Sequence, residues 1–85
     1  MRLGYTDRAR DDLELAFSLG FDFLDCVEAA LQNIIETPKM YQIRYSNFRG
    51  CVIRRFPFSI FYTLESEKIV VHSIFDNRQN FKKRP

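Results

Sequence analysis

The sequence contains a single histidine, His72, and only two cysteines, Cys26 and Cys51. The cysteines do not form a Cys-x-x-Cys motif, and a structural zinc ion needs about four clustered Cys or His ligands. We therefore expect no metal site and no cofactor. We expect both thiols to be reduced structural groups.

Long apolar runs are also missing. No stretch approaches the roughly 20 apolar residues that a membrane-spanning helix requires. No basic start leads into an apolar signal segment. Repeats and low-complexity segments are missing as well. These absences predict a cytoplasmic protein that does not enter a membrane.

The chain does contain a large apolar share. Of its 85 residues, 46% are hydrophobic and 15% are aromatic, which argues against disorder. This length fits one domain, so residues 1–85 are predicted to form a single fold. A chain of this size buries only about 60% of its unfolded surface. A bound partner would therefore add to its stability.

The two halves of the sequence carry opposite charge. Residues 1–40 have four basic and eight acidic side chains, a net charge of −4, whereas residues 41–85 have nine basic and three acidic ones, a net charge of +6. The second half is therefore expected to meet an anionic partner. Nucleic acid and an acidic protein segment are the two candidates.

Apolar residues recur with helical spacing in two segments of the first half. Thr6 is a suitable N-cap for the first helix, and Gly20 is suited to its C-terminal end. The second helix is predicted to begin at Phe21 with Asp22 as its cap, and to end before Pro38. The apolar stripes are Ala9, Leu13, Ala16 and Phe17 in the first helix, and Phe23, Leu24, Val27, Ala30, Leu31, Ile34 and Ile35 in the second.

Beyond Pro38 the pattern changes to that of strands, at residues 51–56 (beginning near Arg49), 58–65 and 68–75, and a short first strand covers residues 3–5. The predicted fold is α+β with the order β-α-α-β-β-β. A helical hairpin packs on one face of a small, mainly antiparallel sheet. In this arrangement Arg54 and Arg55 point to opposite sides of the second strand.

Several short motifs occur in a recognisable order. Residues 56–62 read F-P-F-S-I-F-Y, residues 69–72 read I-V-V-H, and residues 75–80 read F-D-N-R-Q-N. Upstream are Thr6-x-x-Ala9 and Phe23-Leu24-Asp25-x-Val27. With this order and spacing the chain resembles the RelE/ParE toxins of type II toxin–antitoxin (plasmid stabilisation) systems over nearly its whole length. The predicted first helix is shorter than is usual in that family.

The resemblance implies a toxin that binds a cognate antitoxin. It also implies a homodimer or a toxin–antitoxin hetero-oligomer as the assembly. It also implies one of two targets. RelE-like members cut ribosome-bound mRNA without a metal ion, and ParE-like members inhibit DNA gyrase without recognised catalytic residues. A non-toxic protein-interaction module of the same fold is a third alternative.

The residues that RelE-like enzymes use are poorly matched. Arg54 stands where those enzymes have a lysine, but Val52 replaces a second lysine and Ser59 replaces an arginine. Arg78 lies at, or one position from, a further arginine, and no tyrosine follows Tyr62. The resemblance therefore favours a non-enzymatic, ParE-like gyrase inhibitor.

Candidate site residues follow from these two alternatives. A ribonuclease would use Arg54, Arg78 and His72, although His72 could equally be a hydrogen-bonded strand residue. Contacts with a target or antitoxin would use basic side chains, with arginine forks giving paired hydrogen bonds. The residues predicted for them are Arg49, Arg54, Arg55, Phe61, Arg78 and Lys82. These arginines could instead form a solvated surface with scattered ion pairs.

Overall fold

The computed structural model describes residues 2–78, which form two helices and a five-stranded sheet. The elements, in chain order, are β1 (Arg2–Tyr5), α1 (Asp7–Ser18), α2 (Phe21–Glu36), β2 (Ile43–Tyr45), β3 (Phe48–Val52), β4 (Phe58–Glu65) and β5 (Lys68–Asp76). The strand order across the sheet is β1-β5-β4-β3-β2. Only the β1–β5 pair is parallel. The predicted α+β fold is confirmed, with β2 as an additional strand.

The start of α1 and the stripe of α2 are as predicted, but two details are wrong. The Thr6 hydroxyl accepts a hydrogen bond from the Ala9 amide and caps α1, as expected. Phe17, by contrast, is 69% exposed and not part of the buried stripe. Asp22 does not cap α2, because Gly20 does so with a φ of 105° and Asp22 falls in the first turn. A glycine at this left-handed φ lets α2 begin immediately at Phe21.

The main core lies between the helices and one face of the sheet. Phe23 of α2 packs edge-on against the rings of Phe56 and Phe58, at centroid distances of 4.9 and 5.1 Å. Tyr62 is fully buried, and its hydroxyl donates to the Pro38 carbonyl at 2.6 Å. The other fully or nearly buried members are Ala9, Ala16, Val27, Ala30, Ile34, Cys51, Ile53, Ile60, Ile69 and Val71.

The predicted second strand is too long at its end. Strand β3 stops at Val52, and the chain then turns, with the Phe56 amide donating to the Ile53 carbonyl. Arg54 and Arg55 therefore both lie in an exposed turn and not on opposite sides of a strand. Arg55 adopts a left-handed φ of 69°. The β-branched and aromatic residues of this segment gave it a strand-like pattern although its backbone turns.

Helix α1 completes the edge of β5 where β1 ends. The amide of Thr6 donates to the Val71 carbonyl, and its hydroxyl donates to the His72 carbonyl at 3.0 Å. The Asp12 carboxylate then accepts from the Ile74 amide at 3.0 Å. The helix thereby satisfies edge groups that an additional strand would otherwise pair with. Within residues 2–78, neither helix has the length and apolarity to cross a lipid bilayer.

Candidate functional site

Strand β4 separates the core from a second sheet face, the one opposite the helices. Ile60 and Tyr62 point into the core, while Ser59, Phe61 and Thr63 point the other way. All five side chains are buried. The second face therefore contributes its own layer of packed side chains.

Aromatic rings cover much of this second face. Tyr45 stacks on Phe48 at a centroid distance of 4.9 Å and meets Phe61 edge-on at 5.9 Å. Phe61 in turn meets Phe75 at 5.8 Å, and Phe48 meets the imidazole of His72 at 4.7 Å. Phe61 was predicted to contact a partner, but it is only 7% exposed and holds this cluster together.

Arg44 was not predicted as a site residue, and it lies over the second face. A Cβ atom on Gly50 would stand 3.0 Å from Cγ of Arg44 and 3.2 Å from Cε1 of Phe61. The glycine therefore leaves room for the arginine stem beside the ring. A surface cavity of about 350 Å³ opens here, lined by Met40, Tyr41, Gln42, Arg44, Gly50 and Val52. Recognition of Arg44 required strand β2, which the sequence pattern did not indicate.

His72 occupies a β-bulge. Tyr62 is paired with Val71 and Phe61 with Ser73, so His72 has no residue directly opposite it. A bulge changes the direction of the side chain that it carries. Here it places the imidazole beside Thr63, which lies on β4 and on the second face.

A hydrogen-bonded chain links His72 to a carboxylate. Thr63 donates its hydroxyl hydrogen to Oε2 of Glu65 at 2.7 Å, so its oxygen can accept from Nε2–H of His72 at 2.9 Å. This network assigns the proton to Nε2 and leaves Nδ1 as the basic nitrogen. Burial lowers the pKa of His72, and the nearby Glu65 opposes that effect. A neutral, oriented imidazole results.

Arg49 is bound inside the fold. Its Nη1 donates to the carbonyl of Tyr41 at 2.6 Å and to that of Lys39 at 3.2 Å. These bonds hold the connection between α2 and β2. Arg49, one of the predicted binding residues, thus has a structural task.

Three further arginines lie on neighbouring segments at one end of the sheet, and we call Arg54, Arg55 and Arg78 the arginine end. The guanidinium of Arg55 reaches α2, where its Nη2 lies 3.9 Å from Sγ of Cys26. The Asn77 amide donates to the Pro57 carbonyl at 2.7 Å, which brings the end of β5 beside the β3–β4 turn. Arg54 and Arg55 are exposed and make no ion pair within residues 2–78.

Arg78 is held by a carboxylate two positions earlier. Its Nε and Nη2 donate to the two oxygens of Asp76 at 3.0 and 2.8 Å. Hydrogen bonds from Arg78 lower the pKa of Asp76, which stays ionised. The guanidinium thus already has an anionic partner.

The structure does not bring the three ribonuclease candidates together. Arg54 and Arg78 belong to the arginine end, whereas His72 precedes Asp76 by four positions on β5, a backbone separation of about 13 Å at roughly 3.3 Å per residue. Lys82, the remaining predicted residue, lies outside the described residues. In residues 2–78, no three potential metal-ligating side chains come together.

The fold is that of the RelE/ParE toxins. The chromosomal ParDE system of P. aeruginosa has a chain that superposes with a TM-score of 0.65 at 17% identity, covering 89% of this chain and 95% of that one. The isolated E. coli RelE toxin gives a TM-score of 0.73 at 17% identity, covering 95% and 88%. The E. coli DinJ–YafQ complex gives 0.68 at 13% identity, covering 95% and 99%.

Sequence comparison identifies the family. Residues 3–81 match the family described as the ParE toxin of the type II toxin–antitoxin system parDE. The chain therefore belongs to the ParE toxin family, and the resemblance found in its motifs is confirmed. Curated proteins include no significant sequence match to this chain.

Proposed function

We propose that this toxin inhibits DNA gyrase and is neutralised by a cognate antitoxin. The observation that carries the proposal is the separation of His72 from Arg54 and Arg78. Cleavage of RNA by its own 2′-hydroxyl needs a base, a cation and an acid around one phosphate. Backbone positions about 13 Å apart disfavour convergence of the three side chains on one phosphate, and Arg78 is already paired with Asp76. Membership of the ParE family supports the same conclusion.

The proposed antitoxin contact is the arginine end, with Arg44 as a further cation. Arg44, Arg54 and Arg55 are exposed and have no ion-pair partner within residues 2–78. Guanidinium forks bind carboxylates in pairs of hydrogen bonds, which suits an acidic segment that becomes ordered on binding. Structural similarity to toxin–antitoxin complexes, such as that of E. coli RelBE, supports a partner of this kind.

The test is inhibition of gyrase by the purified protein. We expect loss of supercoiling of relaxed plasmid, with activity restored when the antitoxin is added in equal amount. Topoisomerase I serves as a control enzyme that should be unaffected. Unchanged gyrase activity, at protein concentrations matching those that arrest growth in cells, would refute the proposal.

One observation favours a ribonuclease as the second candidate. The Glu65–Thr63–His72 chain orients a neutral imidazole, which is the form that a general base requires. Primer extension on translated mRNA should then show new 5′ ends. The new 5′ ends should disappear with His72→Asn. They should persist with Glu67→Gln, which changes an exposed acid that takes no part in the Glu65–Thr63–His72 hydrogen bonds.

A further inference from the structure

The helical hairpin carries charge of a single sign over most of its length. Between positions 11 and 38 the sequence has seven acidic residues and no lysine, arginine or histidine. Asp12 is the one with a backbone partner, the Ile74 amide. The other six are Asp11, Glu14, Asp22, Asp25, Glu28 and Glu36.

These six carboxylates lie on the solvent side of the hairpin. All are exposed, and none forms an ion pair with another residue of the described range 2–78. On α2, helical spacing aligns Phe21, Asp25, Glu28 and Glu36 along one outward stripe. The four carboxylates of α2 have no basic residue on their own helix and produce a negative field, whereas on α1 Arg8 and Arg10 lie within one turn of Asp11 and Glu14. We call this surface the acidic face.

Apolar side chains project at the end of the same hairpin. Leu15, Phe17, Leu19 and Phe21 form this group, which we call the hairpin tip. Phe21 is 83% and Phe17 is 69% exposed. Exposed apolar side chains that lie close together are typical of interaction surfaces. Large aromatic residues are also the side chains that most often dominate binding energy.

We propose that the acidic face and the hairpin tip together dock on a basic protein surface, namely a nucleic-acid-binding surface of the toxin's target. The inference rests on the proposed function, because gyrase must hold DNA on a basic surface. Like charge excludes nucleic acid and anionic membranes from this face. It also excludes an acidic antitoxin segment, which the arginine end suits instead. Target and antitoxin would therefore contact different surfaces, which meet where Leu15 and Leu19 line one cavity with Asp76, the partner of Arg78.

Two pairs of variants test the docking face. Phe17→Ser/Phe21→Ser removes the rings of the tip, and Ile43→Ser removes an exposed apolar side chain of the sheet half as its control. Glu28→Lys reverses charge on the acidic face, and Glu67→Lys reverses charge at the exposed β4–β5 turn. Circular dichroism and thermal melting select the variants that retain the fold. The substituted residues of the tip are exposed, so the fold should tolerate the changes. If the double variant unfolds, Phe21→Ser alone replaces it.

Growth arrest without antitoxin and inhibition of purified gyrase are both measured. The tip variant should raise the half-inhibitory concentration at least about tenfold, as loss of anchor residues does. Glu28→Lys should raise it severalfold, less so at high salt, because salt screens exposed charges. Both control variants should behave as the wild type, and all should still bind antitoxin.

Other outcomes overturn the docking proposal. Folded tip and charge variants that remain as potent as the wild type would do so. Losses equal to those of the controls, or a change in oligomeric state that accounts for the loss, would do so too. A wild type that arrests growth without affecting gyrase refutes the gyrase target alone. In that case, growth arrest by the variants compared with the wild type still tests the docking face. A wild type that does neither overturns both proposals.

Discussion

The hydroxyl of Thr6 joins the start of α1 to the bulge of β5, because it donates to the His72 carbonyl at 3.0 Å while accepting from the Ala9 amide. One side chain thus caps a helix and completes the sheet edge. The contact between Thr6 and His72 spans 66 positions of the chain. They position the bulge and, with it, the imidazole on the second face.

Removal of this hydroxyl should destabilise the fold. Loss of an N-cap costs about 1 kcal/mol, and a lost buried hydrogen bond costs about another 1 kcal/mol. We expect Thr6→Ala to lower the free energy of unfolding by about 2 kcal/mol. Thr6→Ser keeps the hydroxyl and should lose much less. Urea denaturation measures both, and equal losses would show that the methyl group, not the hydroxyl, matters.

Stability should depend on pH through His72. Burial lowers the pKa of its imidazole in the folded state from 6.5, so the unfolded chain takes up a proton first as the pH falls. The stabilisation is present above about pH 6.5 and is lost as the pH falls through the lower folded-state pKa. Burial instead raises the pKa of Asp12, but from 3.8, so its effect belongs to more acidic solutions.

Urea melts between pH 7.5 and 5.5 should therefore show decreasing stability in the wild type. His72→Gln cannot titrate and should show a flatter profile over the same range. Two parallel profiles would mean that another group is responsible. The comparison also tests whether the Thr63–Glu65 contact leaves the imidazole neutral, because a raised pKa would reverse the slope.

Much of the fold follows from local patterns. The helical stripe from Phe23 to Ile34 and the alternation in β4 are strong, since burial against one layer imposes the period of the element. Strand β2 escaped prediction because its three residues pair mainly through β3 and leave Ile43 exposed. The turn at Arg55 was not predicted, because an arginine with a left-handed backbone conformation has no sequence signature.

The functional surfaces were less predictable because they depend on contacts between residues that are distant in the sequence. The link between Glu65, Thr63 and His72 depends on a register shift between β4 and β5, which composition does not reveal. Arg49 was predicted as a binding cation, and its bonds to the Tyr41 and Lys39 carbonyls could not be inferred from the sequence pattern. Periodicity shows which face a residue occupies in an element, but not which neighbour that face meets.

Gly50 should be intolerant of a methyl group. A Cβ atom would stand 3.0 Å from Cγ of Arg44 and 3.2 Å from the ring of Phe61. The arginine stem can move, but the buried ring is held by its aromatic neighbours. We expect Gly50→Ala to cost about 1–2 kcal/mol, as overpacking usually does.

A double-mutant cycle separates the two neighbours. Arg44→Ala removes one of the close contacts, so Gly50→Ala should cost less in that background than in the wild type. Arg44→Ala alone should change stability by less than about 0.5 kcal/mol, since the side chain is exposed. Strict additivity would locate the whole strain at Phe61.

Arg55 should show opposite effects on stability and on binding. Its φ of 69° is unfavourable for an arginine by about 1 kcal/mol, and glycine adopts it freely. Arg55→Gly should therefore leave the free energy of unfolding unchanged or raise it by up to about 1 kcal/mol, after the entropy of the unfolded glycine is counted. Arg54→Gly, at a neighbouring position without positive φ, should lower it.

Both changes remove a cation of the arginine end, so both should weaken antitoxin binding measured by calorimetry. An Arg55→Gly protein that is more stable yet binds antitoxin as well as the wild type would show that the arginine at this strained position is not retained for that partner.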